Sequence, residues 1–250
     1  MPIQFGLIGY PLTHSFSQKY FTDKFERLGL NDHSYSLFEM QDLSGFNNFV
    51  MAHPHLKGLN VTIPHKKGIL ELLDDCDSEA KTVGAVNTIK ILRSGNTVKL
   101  KGFNTDIYGF ERSIKPFLEM QHNTALILGN GGAALAVKFV LDKLGIRYFV
   151  VTRNPTEKFH CSYADLNQYM IKHHLLVINT TPLGMYPQIE NSPQFPYEFL
   201  TPDHFCIDLV YNPEETLFLK KAKQNGAKTM NGLSMLYLQA DKAWEIWSNG

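Results

Sequence analysis

The sequence predicts an α/β protein of two domains, and three observations carry that prediction. Short apolar runs alternate with helical spacings along the chain. A strand, glycine turn and helix start afresh at Thr124. The 250 residues leave room for two domains, which commonly run to roughly 100–150 residues each.

In the first half, 3–9 reads as a buried strand ending in glycine. Tyr20, Phe21, Phe25 and Leu28 recur at helical spacing, predicting a helix over 17–28 that Gly29 stops. A second strand is expected over 34–40. Phe46, Phe49 and Val50 share one side of a short helix over 43–51. A third strand, 58–63, precedes Pro64, which suits the first position of a helix over 65–73. Strands over 85–92 and 98–103 flank the hairpin turn Ser94-Gly95-Asn96.

A helix over 107–119 leads into the second half. There, an apolar strand over 124–128, a glycine turn and a helix through Leu144 are followed by Gly145 and a strand over 147–152. Further apolar runs lie at 175–179 and 205–209. This alternation is that of right-handed βαβ units in a parallel sheet. The stretch 188–202 is rich in Pro and polar residues and reads as a loop. A last helix is expected over 233–247, with Trp244 and Trp247 as core or interdomain anchors.

Composition narrows the function. Apolar residues make up 44%, enough for a sizeable core, and Lys plus Arg (24) balance Asp plus Glu (24). A neutral chain is a poor candidate for general nucleic-acid binding or electrostatic membrane docking. No basic segment with a long apolar run opens the chain, and no run of about 20 apolar residues occurs, so neither a secretory signal nor a membrane span is expected. Cys76, Cys161 and Cys206 are far apart and form no CxxC pair. They are expected as packing residues of a cytoplasmic protein without a metal site.

Gly129-Asn130-Gly131-Gly132-Ala133-Ala134 joins a strand to a helix. Glycine permits the tight turn and lets backbone N–H groups approach a pyrophosphate at the helix N-terminus. The pattern is not a strict GxGxxG, since Ala134 takes the third position. The next strand ends in Thr152-Arg153-Asn154, then Lys158. An acidic residue there would favour the free ribose hydroxyl of NAD, whereas arginine can pair a 2′-phosphate. NADP is therefore the expected cofactor.

Four segments of the first half end apolar runs in polar residues: His14-Ser15-Phe16-Ser17, Asn60 to Lys66, Val86-Asn87-Thr88 and Asn104-Thr105-Asp106. Ligands sit beyond the carboxyl ends of parallel strands. Ser15 and Asp106 could each be helix caps, and Lys66 with Asp106 could be a surface ion pair. Four converging segments of hydroxyls, amides, one Lys and one Asp better suit a polyhydroxylated acid. His14 and His65 are expected to make turn or capping contacts.

These segments, with Gly84-Ala85-Val86-Asn87-Thr88, Asn179-Thr180-Thr181-Pro182-Leu183-Gly184-Met185 and Gly232-Leu233-Ser234-Met235-Leu236 to Gln239, resemble the shikimate dehydrogenase family in order and spacing across nearly the whole chain. The resemblance implies an N-terminal α/β substrate domain (1–106 plus 233–250) and a Rossmann-like dinucleotide-binding domain (107–232), with a cleft between them. It implies reversible NADPH-dependent reduction of 3-dehydroshikimate to shikimate, a step toward chorismate and the aromatic amino acids, by a cytoplasmic monomer or homodimer.

It also implies roles. Lys66 and Asp106 resemble the catalytic pair. Ser15 and Ser17 resemble the carboxylate-binding serines. Asn60, Thr62, Asn87 and Gln239 resemble the contacts to ring hydroxyls and the carbonyl end, with Tyr211 near the substrate. Thr180, Thr181, Met185, Leu209 and Gly232 join Gly129 to Ala133 and Thr152 to Asn154 around the cofactor.

Some positions depart from the family's pattern. Gln18 and Phe21 stand where Pro and His are usual, and Asn130 where Ala is. Glu157 replaces a second arginine beyond Arg153, which weakens the NADP expectation unless Lys158 compensates. Other readings are a quinate/shikimate enzyme using NAD, a catalytically silent dinucleotide-binding regulator, and a folate-type Rossmann reductase. Retention of both Lys66 and Asp106 argues against the silent regulator. The paired serines beside the first strand argue against the reductase.

Overall fold

The computed structural model describes residues 2–12, 16–95 and 97–249. The chain divides into two compact units, Met1–Thr105 with Ala240–Gly250, and Asp106–Gln239. Ser15 and His14 lie outside the described residues, as does Asn96 of the hairpin turn.

The first unit runs β1 (Ile3–Gly9), α1 (Phe16–Arg27), β2 (His33–Glu39), α2 (Phe46–Ala52), β3 (Leu56–Val61), β4 (Asp75–Cys76), α3 (Ser78–Val83), β5 (Thr88–Ser94) and β6 (Thr97–Phe103). Its sheet has the order β2-β1-β3-β5-β6-β4. The strands β2, β1 and β3 are parallel, while β5 is antiparallel to both β3 and β6. The register pairs Asn60 with Thr88 and Thr88 with Phe103. The end of β3, the start of β5 and the end of β6 therefore share one edge of the sheet.

Local chemistry explains most boundaries. Gly29 ends α1 at φ +68. Asp77 accepts from Ala80 N at the start of α3, and left-handed Gly84 closes it. The helix expected over 65–73 is instead a run of turns and a short 3-10 helix, Gly68–Leu72. An α-helix would need Lys66 O to accept from Leu70 N. That carbonyl accepts from Val86 N at 2.8 Å, and Leu70 N turns to Lys67 O. Contact across the sheet thus outweighs local propensity. The strand expected from residue 85 begins at Thr88 for the same reason.

The second unit carries α4 (Thr105–Ile114, from its second residue), β7 (Thr124–Leu128), α5 (Gly132–Lys143), β8 (Arg147–Val151), β9 (His160–Cys161), α6 (Gln168–His173), β10 (Leu176–Asn179), β11 (Phe205–Asp208), α7 (Leu217–Gln224), β12 (Lys228–Met230) and the first half of α8 (Leu233–Ser248). The helix expected over 107–119 stops at Ile114 because Pro116 has no N–H to continue it, and a 3-10 turn over Lys115–Phe117 follows. Asp106 lies inside α4 and is not its cap. The expected loop over 188–202 contains a 3-10 turn, Tyr197–Phe199, held by Tyr197 donating to Pro193 O.

Among the described residues, this second sheet has the order β12-β11-β10-β7-β8-β9, with every neighbouring pair parallel. Numbered from its own first strand, the order is 3-2-1-4-5-6, that of doubly wound dinucleotide-binding sheets. The order reverses between β7 and β10. No helix among the described residues is long and apolar enough to cross a membrane.

The second half of α8 belongs to the first unit. Its Trp247 stacks on Phe5 at 4.9 Å and donates from Nε1 to Ile89 O at 3.0 Å. A Cβ on Gly58 would lie 2.3 Å from that Nε1. Gly58→Ala is therefore expected to overpack this contact and lower stability by about 1–3 kcal/mol. Urea unfolding measures it, and an unchanged midpoint would exclude the contact as a stability determinant.

Candidate functional site

The shared edge of the first sheet gathers the expected polar residues. Asn60 is the last but one residue of β3 and is buried. Its Oδ1 accepts from the Tyr35 hydroxyl at 2.7 Å, and its Nδ2 faces Asn87 O at 3.3 Å and Thr88 Oγ1 at 3.2 Å. Asn87 Oδ1 accepts from Thr105 N at 2.7 Å, Thr105 Oγ1 at 3.1 Å and Thr88 Oγ1 at 3.2 Å. One side-chain oxygen thus holds the start of α4, next to Asp106.

Thr62 follows β3 and bonds to β1 through Ile8 O. The end of β1 crosses close by, because a Cβ on Gly9 would lie 2.4 Å from Thr62 Cγ2. Lys66 sits half-buried in the turn beyond, its carbonyl tied to Val86 N. Asp106 is buried in the first turn of α4. Ser17 is the second residue of α1, half-buried, with its side chain near the Tyr35 hydroxyl. His65 is buried with Nε2 on Met40 O at 2.7 Å, a packing contact.

In the second unit the glycine turn stands at the switch point of the sheet. Gly129 has φ +103, a conformation open to glycine, and its N bonds to Val151 O. A Cβ there would meet Thr181 Cγ2 at 2.8 Å and Thr180 Oγ1 at 2.9 Å. The loops after β7 and β10 are therefore packed backbone against side chain. At Gly131 and Gly132 a Cβ would meet nothing within 4 Å, so the space before the N-terminus of α5 is open. Ala133 follows in the first turn, half-buried. Asn130 accepts from Lys138 Nζ at 2.6 Å. This open, N–H-lined turn fits a pyrophosphate.

Thr152 is half-buried and donates from its backbone to Cys161 O, whereas Arg153 and Asn154 are exposed at the exit of β8. Burial pushes the Tyr163 phenol up, and the nearby charge of Arg153 opposes that rise. Glu157 pairs with His160 Nε2 at 3.3 Å, while Lys158 Nζ lies 5.0 Å from the Phe159 ring centre. Met185 is exposed beyond β10. Leu209 follows β11, and the backbone passes so close that a Cβ on Gly232 would lie 2.1 Å from Leu209 O. Tyr211 is half-buried, and burial raises its phenol. Gln239 lies on α8, donating to Leu236 O, and packs where a Cβ on Gly109 would come within 3.0 Å.

Sequence reasoning missed Asp208 and the role of Asn179. Both close adjacent parallel strands, and that position in apolar runs was the signal available. Asp208 accepts from Asn179 Nδ2 at 3.0 Å, Val210 N at 3.0 Å and Thr216 Oγ1 at 2.6 Å. Asn179 Oδ1 in turn accepts from Thr181 N and Oγ1 at 3.0 and 2.6 Å. One buried carboxylate joins the loops carrying Thr181 and Leu209. It missed Tyr35 as well, which sits mid-strand between Ser34 and Ser36, where nothing local marks its hydroxyl.

A doubly wound unit with an open glycine turn, together with a unit whose sheet ends in a cluster of amides, Lys and hydroxyls, defines a two-unit α/β protein of the dinucleotide-binding class. The model of the shikimate dehydrogenase substrate binding domain matches residues 7–89. A shikimate dehydrogenase (NADP(+)) from Desulforamulus reducens is 38% identical over 97% of this chain and 89% of its own length. A crystal structure of shikimate 5-dehydrogenase from Thermus thermophilus, in complex with NADP(H) and shikimate, is 32% identical with a TM-score of 0.84, covering 99% of this chain and 94% of that one. Quinate dehydrogenase from Corynebacterium glutamicum, in complex with NAD, is 27% identical with a TM-score of 0.87, covering 100% of this chain and 94% of that one. The chain belongs to the shikimate dehydrogenase family.

Burial pushes the Asp208 carboxyl up to about 6, against the opposing hydrogen bonds from Thr216, Val210 and Asn179. The folded value thus exceeds the ordinary value of 3.8, so the fold prefers Asp208 protonated. Its contribution is most favourable below about pH 4 and declines by about 3 kcal/mol as pH rises to about 6. The stability of the wild type minus that of Asp208→Asn, from urea unfolding across this range, is expected to fall accordingly. A flat difference would show that the carboxylate is not desolvated.

Proposed function

We propose that this chain catalyses the reversible NADPH-dependent reduction of 3-dehydroshikimate to shikimate, an oxidoreductase step at a CH–OH group leading toward chorismate. The observation that carries the reading is the hydrogen-bonded set Asn60, Asn87 and Thr88 at one sheet edge, with Thr62 and Lys66 in the adjoining turn. These groups suit a small acid with several ring hydroxyls. In this reading residues 1–106 and 233–250 serve the substrate, and 107–232 serve the cofactor.

The backbone N–H groups of Gly131, Gly132 and Ala133 would hold the cofactor's pyrophosphate, with Gly129 and Asn130 shaping the turn. Thr152, Arg153 and Asn154 take the adenosine ribose, and the Arg153 guanidinium suits a 2′-phosphate. Thr180, Thr181, Met185, Leu209 and Gly232 would hold the nicotinamide half. When bound, NADPH supplies the hydride that turns the ketone carbon into a carbinol carbon.

The chain's own groups bind the acid and manage the proton. Ser15 and Ser17 take the carboxylate. Asn60, Thr62, Asn87 and Gln239 take the ring oxygens, and Tyr211 lies against the ring. Negative charge develops on the ketone oxygen as the hydride arrives, and a positioned cation stabilises it. The Lys66 ammonium donates its hydrogen bond there and then its proton. Asp106, buried at the start of α4, orients Lys66. The three free cysteines suit a reducing cytoplasm. Nothing in this chemistry requires a second copy, and a monomer or homodimer serves it.

Glu157 favours one second reading, a quinate/shikimate enzyme using NAD, because the family's second arginine is missing there. Activity with shikimate or quinate, each with NADP or NAD, separates the two. The first reading expects turnover of shikimate and a lower KM for NADPH than for NADH. Faster turnover of quinate with NAD would replace it. Lys66→Ala is expected to lower kcat by at least about 100-fold with substrate affinity less affected. A near-normal kcat would remove Lys66 from the chemistry.

A further inference from the structure

Tyr35 lies in the middle of β2, yet its hydroxyl bonds to one residue assigned above to the substrate and lies near a second. It donates to Asn60 Oδ1 at 2.7 Å, and the Ser17 side chain lies near it. The ring is held in place, 5% exposed, and stacked on Phe21 with centroids 4.6 Å apart and planes at 11°. Burial raises its phenol far above the ordinary tyrosine range, so the group is an O–H donor wherever the protein is folded.

The donor and acceptor count then settles both neighbours. Tyr35 has one proton and gives it to Asn60, so it meets Ser17 as an acceptor. Asn60 has two amide hydrogens, and these face Asn87 O and Thr88 Oγ1. Its oxygen has two lone pairs, of which one faces Tyr35. What remains for a ligand is a single acceptor position. The Ser17 proton is different, because a hydroxyl can rotate. An arriving carboxylate can draw that proton away while Tyr35 keeps its own on Asn60.

We infer that Tyr35 is a positioning residue for the substrate, locking Asn60 so that it meets a ring hydroxyl only as an acceptor while leaving Ser17 free to turn. This rests on the reading that shikimate binds at Asn60 and Ser17. It explains how one unit can discriminate: a ring substituent that cannot donate leaves the second lone pair of a buried acceptor unmet.

Tyr35→Phe removes the hydroxyl and keeps the ring. The KM for shikimate is expected to rise about tenfold, with that for NADP+ changed less than about twofold. Phe21→Leu disturbs the same stack and keeps the hydroxyl. It is expected to lower the melting temperature while leaving the KM for shikimate within about twofold. An equal rise in both variants, an equal rise for both substrates, or no rise in Tyr35→Phe would overturn the inference.

Side-chain amide exchange of Asn60, followed by NMR on wild-type protein, needs no variant. Both protons are expected to be protected before shikimate is added. Free exchange that becomes protected only with shikimate would mean that Asn60 donates to the ligand, and the inference fails. A wild type that does not reduce NADP+ with shikimate counts against the functional reading alone, since the amide measurement still tests the lock.

Discussion

The oxygen of the Asn87 side chain is the point on which the first unit's candidate site turns. It is buried and accepts from Thr105 N, Thr105 Oγ1 and Thr88 Oγ1. A buried acceptor without donors costs about 1–3 kcal/mol, so these groups must come together or the fold loses that energy. Meeting that requirement ties the lead into β5 to the end of β6 and sets where α4 begins. Asp106, one residue beyond Thr105, takes its place from the same bond.

The second unit meets the same constraint with a charge. Asn179 and Asp208 end neighbouring strands, and both are fully buried. The Asp208 carboxylate gathers donors from two loops and from the cap of α7, where Thr216 also accepts from Leu219 N. The groups proposed to face a ligand stand on groups that are not. Thr181 is held by Asn179, which Asp208 holds in turn. Buried polar networks of this kind are fully paired or costly.

Much of this was legible in the sequence. The strand–glycine–helix at Thr124 to Leu144 was plain, because glycine and apolar periodicity report local backbone needs. The polar strand ends at Asn60, Asn87 and Asn104 marked the candidate site, since polar groups closing apolar runs need a reason to be there. Lys66 was legible as a residue but not as a structure, because the helix expected around it yields to Val86 N. Asp106 looked like a cap because Thr105 was not seen to be held from Asn87. Asp208 and Tyr35 escaped because each is defined by partners on other elements.

The sequence by itself determined the two-part α/β plan, the dinucleotide turn and the family, since all three rest on residue types at fixed spacing. Only the tertiary structure decided which donor meets which acceptor. Those bonds join Tyr35 to Asn60, Thr105 to Asn87 and Thr216 to Asp208, positions that no local pattern links. Hydrogen bonds are directional and short, so their partners become known only when the sheets have brought the strands together.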